Sequence, residues 1–117
     1  MKKFQIKRVR KMVRFEAQKC SVFFSTLSNP TRLALLELLL KKPMNVSELS
    51  TALSQDQSLI SHNLKPLLRC GLVFRDKRWR NHIYSVNSET VENMFKLIEA
   101  HRERYCKPKG FCPAERG

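Results

Sequence analysis

Apolar positions recur at helical spacing along most of this chain, and only one region has the pattern of β-strands. The stretches 9–27 and 88–105 each carry a single apolar stripe, which predicts an amphipathic helix near each end. Between them, Asn29 followed by Pro30 marks the start of a second helix, and Pro43 marks its end. The pattern therefore predicts a mainly helical domain.

Two further helices are predicted in the middle of the chain, close to one another. The segment NVSELSTAL contains the capping pair Asn45 and Glu48, which favours a short third helix. A fourth helix is expected over 57–70, with Asp56 as its N-cap and Gly71 just beyond its end. The short connection between them is typical of a helix-turn-helix.

Strand-like residues follow the fourth helix. Residues 72–75 and 82–86 are predicted to pair as a β-hairpin, with DKRWRN as the loop. The loop has no glycine, so Asn81 is the residue expected in any left-handed position. Helix, turn, helix and hairpin in this order predict a winged helix-turn-helix, mainly α with a small β-hairpin.

The chain carries a large positive charge, with 23 Lys and Arg against 10 Asp and Glu and a formal net charge of +13. Such a field attracts polyanions, of which nucleic acid is the first candidate and an anionic membrane surface the second. No apolar run reaches the roughly 18 residues of a membrane span, and no secretory signal pattern is present. We therefore expect a cytoplasmic protein without a membrane role. No nucleophile–base pair or phosphate loop can be assembled, so an enzyme is not expected.

The fourth helix and the hairpin hold the residues expected to contact DNA. A helix fits the major groove, where short polar side chains in its first turns can reach base edges. The candidates for this are Gln57, Ser58, Ser61 and His62. Candidates for phosphate contacts are Lys65 and Arg69 of the helix and Arg75, Lys77, Arg78 and Arg80 of the hairpin. Trp79 is expected either to pack against the DNA backbone or to fold back onto the hairpin.

The segments LSNPTRLALLELL, NVSELSTAL and SLISHNLKPLLRCGLV, with the hairpin ending HIYSV, resemble the ArsR/SmtB family of transcriptional regulators. The resemblance covers about 15–105. It implies a homodimer, paired through the first and last helices, that binds a palindromic operator, usually represses, and releases DNA when an effector binds. Asn63 occupies a position where family members often have histidine, so it joins the DNA-contacting set. The apolar stripes at both chain ends independently suit a dimer interface.

On this interpretation the chain has three parts. Residues 1–8 are a basic N-terminal arm, 9–105 are the DNA-binding and dimerisation domain, and 106–117 are a cysteine-containing tail. The net charge leaves a second function open, that of a winged-helix nucleic-acid-binding or architectural protein with no effector site.

Cysteines are the candidates for an effector site. Cys70 is interpreted as a small buried filler, and Cys20, on the apolar stripe of the first helix, has the same interpretation unless it binds an effector. Cys106 and Cys112 suit a soft metal or metalloid, a redox or persulfide-sensing dithiol, or no effector role. Two thiolates complete neither a zinc nor an arsenite site, so a third donor is needed, either Cys20 or another group. A thiolate-bound metal or metalloid is the one cofactor considered.

The family's other metal sites fit this chain poorly. Asn45 and Ser47 stand where some members have a Cys-x-Cys motif in the third helix. In the last helix His101 is a candidate ligand, with Glu99 and Glu103 near it in sequence but directed elsewhere on the helix. Zinc needs about four ligands, so this set is incomplete.

Overall fold

Asparagine side chains cap three of the helices in this computed structural model, which describes residues 15–107. The elements in chain order are α1 (Ala17–Leu27), α2 (Pro30–Lys41), α3 (Val46–Leu53), α4 (Gln57–Arg69), β1 (Val73–Arg78), β2 (Asn81–Val86) and α5 (Ser88–His101). A π-helical turn, Arg102–Cys106, follows α5. The order of helix, turn, helix and hairpin confirms the predicted architecture.

The helix starts in the middle of the chain follow from local hydrogen bonds. Asn29 Oδ1 accepts a bond from the backbone N–H of Arg32 at 3.0 Å, which confirms the predicted start of α2. Asn45 and Glu48 exchange side-chain-to-backbone bonds of 2.8 and 2.9 Å, so the capping box of α3 is confirmed. Asp56 is the N-cap residue of α4, as predicted, but its side chain makes no capping hydrogen bond.

The two end helices are shorter than predicted. α1 begins only at Ala17, because Glu16 before it has an extended backbone and no side-chain cap. At the other end α5 stops at His101, and the wider π-helical turn replaces regular helix up to Cys106. The predicted arm 1–8, the stretch 9–14 of the first helix and most of the tail, with Cys112, lie outside the described residues.

The core is formed mainly by leucine side chains, most of them from α2, α3 and α4. Leu35, Leu36 and Leu39 of α2 pack in one cluster with the buried residues of α4 and with Leu49 of α3. Val91 anchors α5 on the same cluster, and it is fully buried. The positions of α4 and of the hairpin are therefore set by one shared apolar cluster. Within 15–107, no helix combines the length and apolarity needed to cross a bilayer.

The hairpin has a tighter turn than the sequence indicated. β1 and β2 pair antiparallel as far as Arg78 opposite Asn81, which leaves only Trp79 and Arg80 in the turn. The predicted six-residue loop is wrong, because the ladder extends through its flanking residues. The left-handed position was also predicted wrongly, since Trp79 has a φ of 62° and Asn81 lies in β2.

Backbone bonds hold the hairpin against the helices. Met44, between α2 and α3, forms an isolated antiparallel bridge with Tyr84, with N–O distances of 3.0 and 2.8 Å. Where the hairpin joins the neighbouring helices, the Nδ2 of Asn87, just after β2, donates to the Gly71 carbonyl, just before β1, at 2.9 Å. Gly71 has a φ of 73°, as its predicted place after the helix end requires. The hairpin therefore has a fixed position beside α3 and α4.

Candidate nucleic-acid interface

Helix α4 has one buried face and one face open to solvent. Ile60, Leu64 and Leu67 are at most 1 % exposed and hold the helix on the core. The outward face predicted from the sequence is confirmed for most of its members. The exposed residues are Gln57, Ser58, His62, Lys65 and Arg69, and Ser61 is half-buried.

A cleft of about 310 Å³ joins the first turns of α4 to the hairpin and to the start of α3. Its polar walls are Ser47 of α3, Gln57 and Ser61 of α4, and Arg80, Asn81 and His82 of the hairpin. Hydroxyl and amide groups that can both donate and accept hydrogen bonds are thus placed beside a guanidinium. Such a surface can contact base edges and phosphates at the same time.

Three of these cleft residues were missed by the sequence analysis. Asn81 was expected in a long loop, and His82 and Ser47 were given no DNA role. The error follows from the loop length, because a six-residue loop would place Asn81 away from the helices. A two-residue turn instead brings the start of β2 against α4, so the hairpin register is the signal that would have found them.

The hairpin presents its positive charge to solvent. The exposed basic residues are those predicted, namely Arg75, Lys77, Arg78 and Arg80. Asp76 is the one acidic residue among them, and its Oδ2 accepts a bond from Arg78 Nε at 3.3 Å. Both side chains are more than two-thirds exposed, so this pair is weak and Arg78 remains available to a polyanion. The ring of Trp79 is 94 % exposed, so the alternative in which it folds back onto the hairpin is wrong.

Asn63 does not belong to the exposed surface of α4. Its side chain is only 4 % exposed, and both amide atoms are used inside the chain. Oδ1 accepts a bond from Arg32 Nε at 3.0 Å, and Nδ2 donates to the Leu59 carbonyl at 3.0 Å. Asn63 is therefore removed from the predicted DNA-contacting set, because both polar atoms of its side chain are bonded inside the protein and neither faces the DNA.

The same network reaches α1. Arg32 Nη1 donates to the Thr26 carbonyl at 3.2 Å, so one guanidinium joins the end of α1 to the middle of α4. The Oγ1 of Thr26 donates to the Val22 carbonyl at 3.0 Å and accepts a weak bond from the Cys70 thiol at 3.5 Å. Cys70 is half-buried rather than fully buried, and its contact is with a hydroxyl. Polar contacts thus fix α4 relative to α1 at two points.

Ser61→Ala and His62→Ala are expected to change base preference at separate positions of the bound DNA. Both side chains lie on the open face of α4, and removing one hydrogen-bonding group removes discrimination of about 1–3 kcal/mol at one base pair. Binding to a library of single-substituted duplexes measures this. Lys65→Ala serves as the comparison, since its side chain is directed at phosphates and its loss should weaken binding on every sequence alike. An unchanged preference in both variants would remove Ser61 and His62 from the residues that read bases.

The three cysteines within residues 15–107 are free thiols in partly buried positions. Cys20, Cys70 and Cys106 are half-buried and make no disulfide with one another. Within 15–107, no three His, Cys, Asp or Glu side chains converge as a metal site.

The carboxylates near His101 are used in ion pairs. Glu99 accepts a bond from Arg102 at 2.8 Å, and Glu103 pairs with Lys107. The bond and charge of Lys107 hold the pKa of Glu103 below its ordinary value. The candidate site at His101, Glu99 and Glu103 is therefore not assembled in the structure. The His101 ring instead contacts the Tyr105 ring in a tilted arrangement, with ring centroids 4.9 Å apart.

Helices α1, α2 and α5 also expose apolar side chains. They include Phe15 and Val22 near or on α1, Leu33 on α2, and Leu97 and Ile98 on α5. A groove of about 580 Å³ between α2 and α5 has Leu33, Ala34, Phe95 and Ile98 among its walls. In the described part of the chain, the hairpin thus carries a cluster of exposed basic side chains, and α1, α2 and α5 carry exposed apolar side chains.

Known proteins resemble this chain in sequence and fold. The family described as "Bacterial regulatory protein, arsR family" matches residues 29–74. The transcriptional repressor SmtB homolog of Synechocystis is 33% identical over 86 residues, covering 74% of this chain and 65% of that protein. The transcriptional activator HlyU of Vibrio cholerae is 36% identical over 89 residues, covering 76% and 80%. A homodimeric winged helix-turn-helix DNA-binding domain from Mycobacterium bovis has a TM-score of 0.69 at 24% identity, covering 77% and 83%.

These comparisons confirm two predictions from the sequence. The fold is a winged helix-turn-helix, as in the Mycobacterium bovis domain. The sequence relatives are named as transcriptional regulators rather than enzymes, which agrees with the expectation that this chain is not an enzyme. The chain spans less than two thirds of the Synechocystis protein.

Proposed function

Because the chain belongs to the arsR family of bacterial regulatory proteins, we propose that it is a sequence-specific DNA-binding transcriptional regulator that acts as a homodimeric repressor. The observation that carries the proposal is the polar cleft joining the first turns of α4 to the basic hairpin. One relative is named a repressor and another an activator. Because the two names differ in the direction of regulation, repression by this chain belongs to the proposal. The cytoplasmic location and the three-part division of the chain stay predictions.

In the proposed complex, α4 lies in the major groove and the hairpin lies against the backbone beside it. The residues directed at base edges are Gln57, Ser58, Ser61 and His62. Those directed at phosphates are Lys65, Arg69, Arg75, Lys77, Arg78 and Arg80. Burial of Ile60, Leu64 and Leu67 supports this placement, because a helix anchored along one face presents the other in a fixed orientation.

We propose that the dimer forms through α1 and α5. Large apolar side chains are exposed on both helices, with Phe24 at 53%, Leu97 at 73% and Ile98 at 48%. Removing such surface from water is favourable by about 25 cal/mol per Å². A two-fold axis at this end would place two copies of α4 on successive turns of a palindromic site. The Mycobacterium bovis domain of the same fold is homodimeric, which supports a dimer but does not bear on which helices pair.

Selection from a pool of random-sequence duplexes tests the proposal. The full chain, under reducing conditions, is expected to enrich one sequence with two-fold symmetry and half-sites about one helical turn apart. The arm and tail residues stay in the protein used, so their contribution is included. Recovery of unrelated sequences, with no common half-site, would contradict a sequence-specific regulator.

We further propose that a thiol-reactive effector releases the DNA through Cys106 and Cys112, with Cys20 as the third donor. Cys106 lies at the end of the π-helical turn after α5, and Cys20 lies on α1, so both belong to the elements of the proposed dimer interface. Thiolates favour soft metals and metalloids, and paired thiols can also be oxidised. A change there would act on the interface that spaces the two α4 helices.

A Cys106→Ser, Cys112→Ser variant is expected to keep DNA binding but lose its response to the effector. Arsenite, zinc, cadmium, copper and persulfide are added separately to reduced protein on the selected duplex. One of them should weaken wild-type binding by about 5–150-fold, the usual size of allosteric coupling. Cys20→Ser then separates the mechanisms, because a three-coordinate site needs Cys20 and a dithiol switch does not. Equal responses in wild type and variant, or none in either, would exclude the effector site.

A further inference from the structure

Trp79 occupies a backbone position that is unfavourable for a large side chain. It is the first of two turn residues, with a φ of 62°, between the paired residues Arg78 and Asn81. Two-residue hairpin turns place glycine, asparagine or aspartate at positions of positive φ, because a Cβ is strained there. A tryptophan at this place is therefore not explained by the needs of the turn.

The indole ring also does not stabilise the free protein by packing. It is 94 % exposed, more than any other large apolar residue of the described chain. Buried aromatic rings stabilise a fold through their area, and this ring contributes almost none. Backbone strain combined with an exposed ring is a pattern associated with ligand contacts, because neither feature helps the chain to fold.

We infer that Trp79 is a DNA-contacting residue whose ring packs into the minor groove, against the deoxyribose wall next to each half-site. This inference rests on the proposed function. Arg80, the next residue, is a wall of the cleft that also contains Gln57 and Ser61. With α4 in the major groove, the hairpin turn is directed across the backbone toward the neighbouring minor groove, where arginines are attracted by the potential and apolar wedges insert.

The contact has a chemical character different from that of the arginines beside it. Sugar faces and base edges in the minor groove offer apolar surface, and an indole covers it without displacing counterions. The contribution of Trp79 to affinity therefore depends little on salt, whereas each phosphate contact adds to the salt slope. This difference allows the ring to be distinguished from the surrounding positive charge.

The fluorescence of wild-type protein gives the first test, because Trp79 is the one tryptophan of the whole chain. The free protein should show the emission of a solvated indole and strong quenching by acrylamide. Saturation with the selected duplex should shift the emission to shorter wavelength and reduce quenching severalfold. Unchanged emission and quenching at saturation would overturn the inference.

Substitution gives the second test. Trp79→Asn places a residue that tolerates positive φ in the turn. The thermal midpoint should therefore stay equal or rise, while affinity for the selected duplex falls about tenfold with the salt slope unchanged. Trp79→Phe keeps a ring and should retain most of the wild-type affinity. Equal affinities of Trp79→Asn and wild type, or a loss that accompanies a lowered midpoint, would overturn the inference.

The role of Trp79 and the proposed function can be contradicted by different results. Anisotropy of labelled duplex reports wild-type binding without any signal from tryptophan. If wild type binds its selected duplex and Trp79→Asn binds equally well, the role of Trp79 is wrong and the proposed function stands. If wild type binds no duplex selectively, the proposed function fails, and the inference fails with it.

Discussion

Replacing Arg78 and Arg80 together with alanine is expected to weaken DNA binding on every sequence and to flatten its dependence on salt. Both guanidinium groups are exposed on the hairpin, where they can neutralise phosphates. Each lost phosphate contact lowers the slope of log K against log salt by about 0.9. The double variant should thus lose up to about two contacts per subunit. Loss of Arg78 also leaves Asp76 unpaired, which adds repulsion toward phosphates.

A control with the same change in net charge separates local contacts from the general field. Lys19→Ala with Lys107→Ala removes two positive charges from α1 and from the end of the π-helical turn, away from the hairpin. This variant should keep most of the wild-type salt slope. Equal slopes for wild type and the Arg78, Arg80 double variant would remove the hairpin from the interface.

Asn63→Leu is expected to lower the free energy of unfolding by about 2–3 kcal/mol, because the Arg32 guanidinium loses a hydrogen-bond partner in a partly buried place. Asn63 accepts the Nε bond of Arg32, and its burial leaves little room for water to replace it. Denaturant unfolding at fixed protein concentration measures the change, since stability of a dimer depends on concentration.

A double substitution tests whether the loss comes from the interaction itself. Arg32→Met with Asn63→Leu removes both polar partners, and apolar replacement of a whole pair is often close to neutral. The double variant should therefore be more stable than the sum of the single losses predicts. Strict additivity would mean that the Arg32–Asn63 bond does not couple α2 to α4.

Local hydrogen bonds made the helix starts predictable from the sequence. The caps formed by Asn29 with Pro30 and by Asn45 with Glu48 involve residues within four positions of one another. The local amino-acid sequence is therefore enough to predict where these helices begin. The buried face of α4 was equally readable, because Ile60, Leu64 and Leu67 follow helical periodicity.

Features that depend on residues far apart in the chain could not be predicted from the sequence. The burial of Asn63 is set by Arg32, which is 31 residues away, and no periodicity encodes that bond. The hairpin turn was missed because its residues oppose the usual turn chemistry, with tryptophan at positive φ and no glycine. The cleft residues Asn81 and His82 were lost with it. Only the structure shows that β2 begins beside α4.

Affinity for the selected duplex, compared with a scrambled duplex across a range of salt concentrations, tests the central claim most directly. We expect two chains per selected duplex and binding at least about 10³-fold tighter than to the scrambled duplex at physiological salt. Both affinities should fall with salt while their ratio persists. Equal affinities at every salt would contradict sequence-specific recognition, and would favour an architectural protein held to DNA by its +13 charge.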